Sequence, residues 1–282
     1  MADRLLKLHD RGPEVIEAQD LLNRDGAIID PDGDFGTGTE AAVREFQRRT
    51  AVPVTGVIDA ATWGSLRALP DPCPELPTRV VAFIAREEVG SRGFYDARCA
   101  RPTWPGGASG VTIGVGYDLG YQAGFDADWG DLLTPEQLAA LRPWLGRKSQ
   151  LAAVAPPQLA AITIPWHAAW TAFIRRTLPQ EIAATRAAFQ AAEPLPPLCL
   201  GVLVSLVYNR GTAMADTADH PGSRKEMREI RDAVAAGHLK DVPPAVRAMK
   251  RLWPEGNGLR DRREREARLF EEGLGAAVRT FG

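Results

Sequence analysis

Cysteine is scarce: Cys73, Cys99 and Cys199 are the only three in 282 residues. Their odd number, wide spacing and lack of a CxxC pair exclude a disulfide framework and a cysteine zinc site, and fit a chain kept reduced. Histidine is as sparse. His9, His167, His220 and His238 form no HxxxH pair and none lies close to a cysteine, which argues against a zinc amidase or a thiol peptidase. No metal and no cofactor is expected. Charge of one sign is also missing, since 34 basic residues against 36 acidic ones leave a formal net charge of -2. That balance excludes the broad basic footprint of a protein that coats nucleic acid. No apolar run reaches the roughly 20 residues of a spanning helix, so stable membrane insertion is not expected. The most apolar stretch, Leu195 to Tyr208, contains Pro196 and Pro197 and reads as a buried helix. The charged amino terminus lacks the apolar core of a signal peptide, which predicts synthesis in the cytoplasm without export by the general secretory route. Gly114-Val115-Gly116 is out of register for a dinucleotide-binding fingerprint, and Gly107 to Val111 lacks the second glycine of a nucleophile elbow.

What is present is an ordinary globular composition, 45% hydrophobic and 25% charged, ample for a core and expected to be monomeric. Proline is spread unevenly. Prolines at 70, 72, 74 and 77 forbid a helix and mark a boundary. The predicted organisation is a small domain at 1–69, a Pro-rich linker at 70–78 and a larger body at 79–282.

In the small domain the periodicity predicts helices over Pro13 to Asn23, Thr39 to Arg49 and Asp59 to Leu69, with Pro13, Thr39 and Asp59 as start signals. Between them lie the turns Asp30 to Gly36 and Val52 to Gly56. Asp30, Asp32 and Asp34 have a calcium-like alternation, but Phe35 and Ala41 stand where an EF-hand loop needs Gly and Glu, so Asx turns are the simpler reading. The DGxFGxxT piece, which includes Asp34, Phe35, Gly36 and Thr39, together with Ala42-Val43-Arg44-Glu45-Phe46-Gln47, resembles the peptidoglycan-binding domain type 1 family. The resemblance covers nearly all of residues 4 to 69 and implies a non-catalytic three-helix module that holds cell-wall peptidoglycan.

The larger body begins with an apolar helix through Val80, Val81, Phe83 and Ile84 that Gly90 ends. Gly93 to Gly124, rich in glycine with β-branched and aromatic residues between, predicts short strands and tight turns. Thr134-Pro135-Glu136-Gln137 reads as a capping box, and helices follow to Glu272. The predicted fold is mainly α, of α+β class, with one small β-sheet near the start of the body. A carboxylate at a helix end beside a glycine-rich sheet is a sensible glycosidase arrangement, because glycoside cleavage needs an acid and a second polar group across the bond. Glu87, Glu88 and Asp118 could supply them.

Glu88-Val89-Gly90, Gly93 to Asp96, Gly110 to Gly120, Ser205 to Gly211 and the closing Gly258 to Phe270 resemble the phage-type lysozyme superfamily, and within it most the muramidase domain of pesticin. The match spans about residues 79 to 275 and implies a lysozyme-like catalytic domain. Carried over, the general acid falls on Glu88, with Glu87 competing, the water-binding threonine on Thr112 and the second carboxylate on Asp118, with Asp96 competing as the position nearer the T4-type aspartate. Tyr95, Trp104, Tyr117, Asn209 and Arg210 are the expected substrate contacts. Asn209 also reads as a helix cap and Arg210 as one half of a surface ion pair. The alternating charges of Arg260 to Arg268 read as a solvated helix face, while the resemblance implies that Arg262 or Arg263 buttresses Glu88.

Together the two resemblances imply a modular phage endolysin: a muramidase that cleaves between N-acetylmuramic acid and N-acetylglucosamine by inversion. It would act in the periplasm after holin-type release. An antibacterial effector muramidase and a non-catalytic wall-binding protein are the alternatives.

Overall fold

In the computed structural model, which describes residues 4–191 and 193–281, the amino-terminal module is built around two buried glutamines. Helices α1 (Pro13–Arg24), α2 (Thr37–Arg49) and α3 (Ala60–Arg67) face one core of Leu6, Val15, Leu22, Phe35, Val43, Phe46, Ile58, Trp63 and Leu66. Burying a large apolar side chain of this kind contributes about 1.5–3 kcal/mol. Pro13 opens α1, where its missing N–H has no partner to lose. Asp59 caps α3 by accepting from Thr62 N at 2.9 Å.

Gln19 Nε2 donates to Asp32 Oδ1, Asp34 O and Thr39 Oγ1, while its Oε1 accepts from Gly33 N. One helix later Gln47 repeats the pattern. Its Nε2 donates to Val57 O, Thr55 Oγ1 and Thr62 Oγ1, and its Oε1 accepts from Thr55 N and Gly56 N. Gly33 and Gly56 have φ of +76° and +75°, a region open to glycine. Each is followed by a buried apolar residue, Phe35 or Ile58, and then by a buried threonine. The module is thus a doubled helix–turn unit. Thr39, expected as a start signal, sits inside α2 instead; Gly36 holds the N-cap position, and the Thr39 hydroxyl is taken by Gln19. Asp32 Oδ1 accepts from Asp34 N at 2.9 Å, the Asx turn expected of this stretch.

Packing divides the chain into two compact units, Met1–Cys73 with Val81–Thr177, and Pro74–Val80 with Leu178–Gly282. The covalent order and the packing therefore divide it differently, because the module shares a unit with the glycine-rich segment. The Pro-rich stretch carries no helix or strand before Thr78, as its prolines require. It is not a free spacer, however, since Cys73 and Leu76 are buried.

In the first unit, Gly26 (φ +81°) lies directly against Trp166 and Trp170; a Cβ there would come within 2.9 Å of the Trp170 ring. Trp166 Nε1 donates to Gly26 O at 2.8 Å, and Arg86 pairs with Asp30 at 2.8 Å. The unit also holds most of α4 (Thr78–Val89) and a short α5 (Arg92–Phe94) that continues as a π turn, Tyr95–Cys99. Strands were expected from Gly93 onward. A helical turn forms first because Ser91 caps it, accepting from Phe94 N, and because Tyr95 is drawn fully into the core. The sheet then consists of β1 (Thr112–Ile113) and β2 (Tyr117–Asp118), antiparallel. Helices α6 (Phe125–Trp129), α7 (Pro135–Leu141), α8 (Gln150–Ala153), α9 (Ala155–Gln158) and α10 (Trp166–Ala172) complete it. Thr134 and Gln137 form the expected capping box on α7.

The second unit contains α11 (Leu178–Ala188), α12 (Pro197–Arg210), α13 (Lys225–Ala235), α14 (Val242–Ala248) and α15 (Gly258–Phe281). Every residue of α12 from Cys199 to Val207 is buried, as expected of an apolar run too short to span a bilayer. Gly201 admits Val80 and Gly273 admits Cys199, each closer than any side chain would allow. Burial pushes the Cys199 thiol up to about 12, leaving it an inert core group. No helix among the described residues is long and apolar enough to cross a membrane.

Candidate functional site

Two strands and their glycines set the geometry of the candidate site. The register pairs Thr112 with Asp118 and Ile113 with Tyr117. Leu119 N bonds to Val111 O, whereas both backbone groups of Thr112 turn the other way and bond to Thr103 at 2.7 and 3.0 Å. Thr112 and Asp118 therefore form a non-hydrogen-bonded cross-strand pair, the kind in which side chains come closest, with Cα atoms about 4.5 Å apart. Their six-residue separation, one of the features carried by the resemblance, translates into direct neighbours on one face of the sheet.

The Asp118 carboxylate is fixed by its surroundings. Oδ1 accepts from Gly110 N at 2.9 Å and Gly120 N at 2.8 Å, and Oδ2 from Gly110 N at 3.1 Å. A Cβ on Gly110 would stand 2.5 Å from Asp118 Oδ1 and 2.4 Å from Gly120 N, so only glycine fits. All three contacts are received from N–H groups, and Oδ2 keeps lone pairs to spare. Asp118 and Thr112 are each half-buried. Such a carboxylate can orient a water or face a developing cation.

Glu88 is the penultimate residue of α4, half-buried like Glu87 beside it. Gly90 (φ +75°) ends the helix immediately afterwards, its N–H on Arg86 O at 2.8 Å. Asp96 lies elsewhere, 57% exposed and 3.4 Å from Arg92.

Two expected sugar contacts are core residues instead. Tyr95 is fully buried and donates to Ile164 O at 2.9 Å; Tyr117 is 2% exposed and donates to Asp128 at 2.7 Å. Burial, reinforced for Tyr117 by Asp128, raises both phenols well above their ordinary value and keeps them as neutral donors. The aromatic signal that suggested sugar stacking reflects Tyr95 against Trp166 and Tyr117 against Trp129, both edge to face. Trp104 is half-buried, donating to Ser109 O at 3.0 Å. Tyr121 was not singled out in the sequence, yet it is an aromatic joined to Asp118 through the backbone and 58% exposed. Its N–H bonds to Asp118 O, its hydroxyl to Ala108 O, and Lys148 sits 3.5 Å over its ring. Its position three residues after Asp118 was the available signal.

In the second unit Asn209 Oδ1 accepts from Arg263 at 3.1 Å, and the φ of +68° at Gly211 ends α12. Arg210 donates to Ser223 O at 2.5 Å and lies over Trp253. Burial, then the nearby Arg224, pulls its guanidinium below the ordinary value. The Arg260 to Arg268 stretch corrects the expectation of a solvated face. Arg262, Arg263 and Glu266 are at most 2% exposed. Glu266 Oε1 accepts from Arg262 at 3.1 Å, from Arg263 at 3.2 Å and from Ser205 Oγ at 2.6 Å. Their i, i+3 and i+4 spacing puts three charges on the stripe that faces α12, where Glu266, Ser205 O and Asn209 Oδ1 take the place of water around the two guanidinium groups.

Of the module's motif residues, Phe35 and Thr39 are buried, Gly36 N bonds to Asp34 O, and Asp34 pairs with Arg11 at 2.8 Å. They build the turn that Gln19 holds, with Asp34 the only one presenting a polar side chain outward.

Residues 11–66 match the model of the peptidoglycan binding domain family. The module is thus an amino-terminal peptidoglycan-binding domain, carried by a mainly α-helical chain with one small sheet. Among solved structures, the chain is similar to the one titled "Crystal structure of Burkholderia AP3 phage endolysin". The match has 15% identity and a TM-score of 0.23, and covers 96% of this chain and 99% of that one. A superposition of that quality carries no argument about fold or function.

Proposed function

We propose that the protein is a peptidoglycan hydrolase, specifically a muramidase of the lysozyme superfamily in the pesticin pattern, whose amino-terminal domain holds the wall while the body cuts it. The observation that carries this reading is the Thr112–Asp118 pair, with Asp118 clasped by Gly110 and Gly120, in a chain whose residues 11–66 match a peptidoglycan-binding family. Glu88 is the proton donor to the leaving oxygen. It sits in the last turn of α4, where the helix carbonyls disfavour negative charge. Asp118 stabilises the oxocarbenium-like transition state and, with the Thr112 hydroxyl, orients the attacking water. A water-using pair inverts the anomeric carbon and requires carboxyls roughly 6.5–9.5 Å apart. Tethering by the module raises the local concentration of the cutting site on its polymer. In this reading the protein is the endolysin of a phage, released to the periplasm through a holin-type pore.

Mass spectrometry of fragments released from purified peptidoglycan by the wild type and by Glu88→Gln tests it. Reducing N-acetylmuramic ends, absent with the variant, are expected, and the anomer seen first by NMR should be inverted. Anhydro ends would mean a lytic transglycosylase, free peptides an amidase or peptidase, and no fragments a wall-binding role alone.

A further inference from the structure

The first unit contains a cleft away from the sheet. It has a volume of about 380 Å³ and is bounded by α1, α2 and the turn that opens α5. Small and apolar residues such as Ala41, Ala42 and Ile28 form its walls. Its charged lining is balanced, with Arg48, Arg49 and Arg92 set against Asp25, Glu45 and Asp96.

Three features mark the cleft as more than a packing seam. Arg49 and Arg92 line it from different segments, Arg49 paired with Asp25 and Arg92 with Asp96, and burial, then Arg92, lowers the Arg49 guanidinium from its ordinary value. Arg92 is also short of acceptors. It lies over the Trp166 ring at 5.2 Å, reaches Asp96 at 3.4 Å, and its Nε is buried with no partner among the described residues. A guanidinium stacked on an aromatic face and partly exposed at the cleft is well suited to a carboxylate. Finally, Ile28 is buried with φ +50°, a conformation unfavourable for a β-branched side chain, so the wall is held in a strained form.

The glycan strands of peptidoglycan carry no charge of their own once the lactyl group is joined to peptide; the stem peptides carry the carboxylates and free amines. A cleft lined by paired charges fits the second component, not the first. We propose that this cleft binds the peptidoglycan stem peptide, with Arg49 and Arg92 receiving a peptide carboxylate and Asp96 and Glu45 facing its amine. The proposal rests on peptidoglycan being the substrate. It also gives Asp96, considered above as an alternative catalytic carboxylate, a role in holding the wall.

Calorimetry of the full-length protein with a soluble N-acetylglucosaminyl-N-acetylmuramyl tetrapeptide tests it, because that ligand lacks the bond a muramidase cuts. The same compound with amidated carboxylates and the peptide-free disaccharide with its lactyl carboxylate amidated are the comparisons. The wild type should bind the acidic muropeptide at least tenfold better than either, and Arg92→Gln and Arg49→Gln should erase that preference. Ala41→Tyr, which fills the cleft from an exposed helix position without touching an arginine, should do the same. Equal binding by wild type and variants, equal binding of the peptide-free disaccharide, or no binding by the wild type would overturn the proposal. Release of fragments from peptide-free glycan strands by the wild type reads the muramidase separately, so either idea can fail without the other.

Discussion

Gln19 and Gln47 in the module and Asp118 in the sheet hold glycine amides by the same device, a side-chain oxygen accepting a backbone N–H. The outcomes are opposite. The two glutamines are 1% exposed, and both ends of each amide are engaged within the module. Asp118 is a half-buried carboxylate with acceptor capacity left over and a threonine paired across the sheet from it. One arrangement closes a fold; the other leaves a group available for chemistry. Glu266 is a third variation, a carboxylate wholly out of water that accepts from two arginines and a serine. The lesson is that burial and spare valence, not residue type, separate a structural acceptor from a candidate catalytic one.

The largest effect should come from Glu266, since removing one partner of a buried ionic cluster strands the others and costs about 3–5 kcal/mol. Glu266→Ala should therefore accelerate hydrogen exchange across α12 and α15 by orders of magnitude. Exchange at the wild-type rate would mean that Arg262 and Arg263 find other acceptors, and the comparison would lose its charged member.

Asp118→Asn should do the reverse, sparing the fold while removing activity. Its remaining oxygen can still accept from Gly110 and Gly120, but the negative charge is gone. A loss of about 10²–10³ in kcat, roughly 2.7–4 kcal/mol in the barrier, is the scale for removing one preorganised electrostatic contact. The assay is release of reducing ends, with circular dichroism as the check on fold. Unchanged turnover would put Asp118 in the same structural class as the glutamines.

This contrast also explains what could be read from the sequence. The three helices of the module, the Asp59 cap, the Thr134 capping box and the burial of α12 follow from local periodicity and start signals, which act within a few residues. Thr112 and Asp118 were singled out together through the resemblance; that they face each other across the sheet follows from the tight turn between their strands. The burial of Tyr95 and Tyr117 was not, because an aromatic in a glycine-rich stretch looks the same whether it stacks on a sugar or on Trp166 and Trp129. The charges of α15 misled for a similar reason: alternating signs describe an ion-paired helix, and only the packing of α12 decides whether its pairs are wet or dry. The doubled helix–turn unit left a signal that went unused, namely a glycine six residues before a threonine in both Gly33/Thr39 and Gly56/Thr62.

Gln47→Ala tests the closed member of the comparison. It would leave the buried Gly56 N without its acceptor, whereas Thr55 N keeps Pro53 O and Val57 O keeps Thr55 Oγ1; a buried orphan costs about 1–3 kcal/mol. Retention on insoluble peptidoglycan should fall with the module's stability, while turnover of short soluble glycans stays near wild type. A matching loss on soluble substrate would show that the module supports the first unit as well as holding the wall.

The smallest effect concerns Asp59, a carboxylate that, like Asp118, accepts from a nearby backbone N–H but serves only to start a helix. It takes Thr62 N at 2.9 Å and Thr62 Oγ1 at 2.8 Å. The first of these contacts, aided by the second, holds its carboxyl below the ordinary value. A depressed folded value means the cap is fully effective above the unfolded carboxylate range and is lost as pH falls through the lower, folded one. Asp59→Ala should therefore cost about 1 kcal/mol near neutral pH and progressively less as acid protonates the wild-type residue. Module amide exchange in the full chain, compared at pH 7 and at the lowest pH where it stays folded, reads the difference. A gap that stays constant over that range would mean that shape rather than charge does the capping, and Asn should then serve as well as Asp.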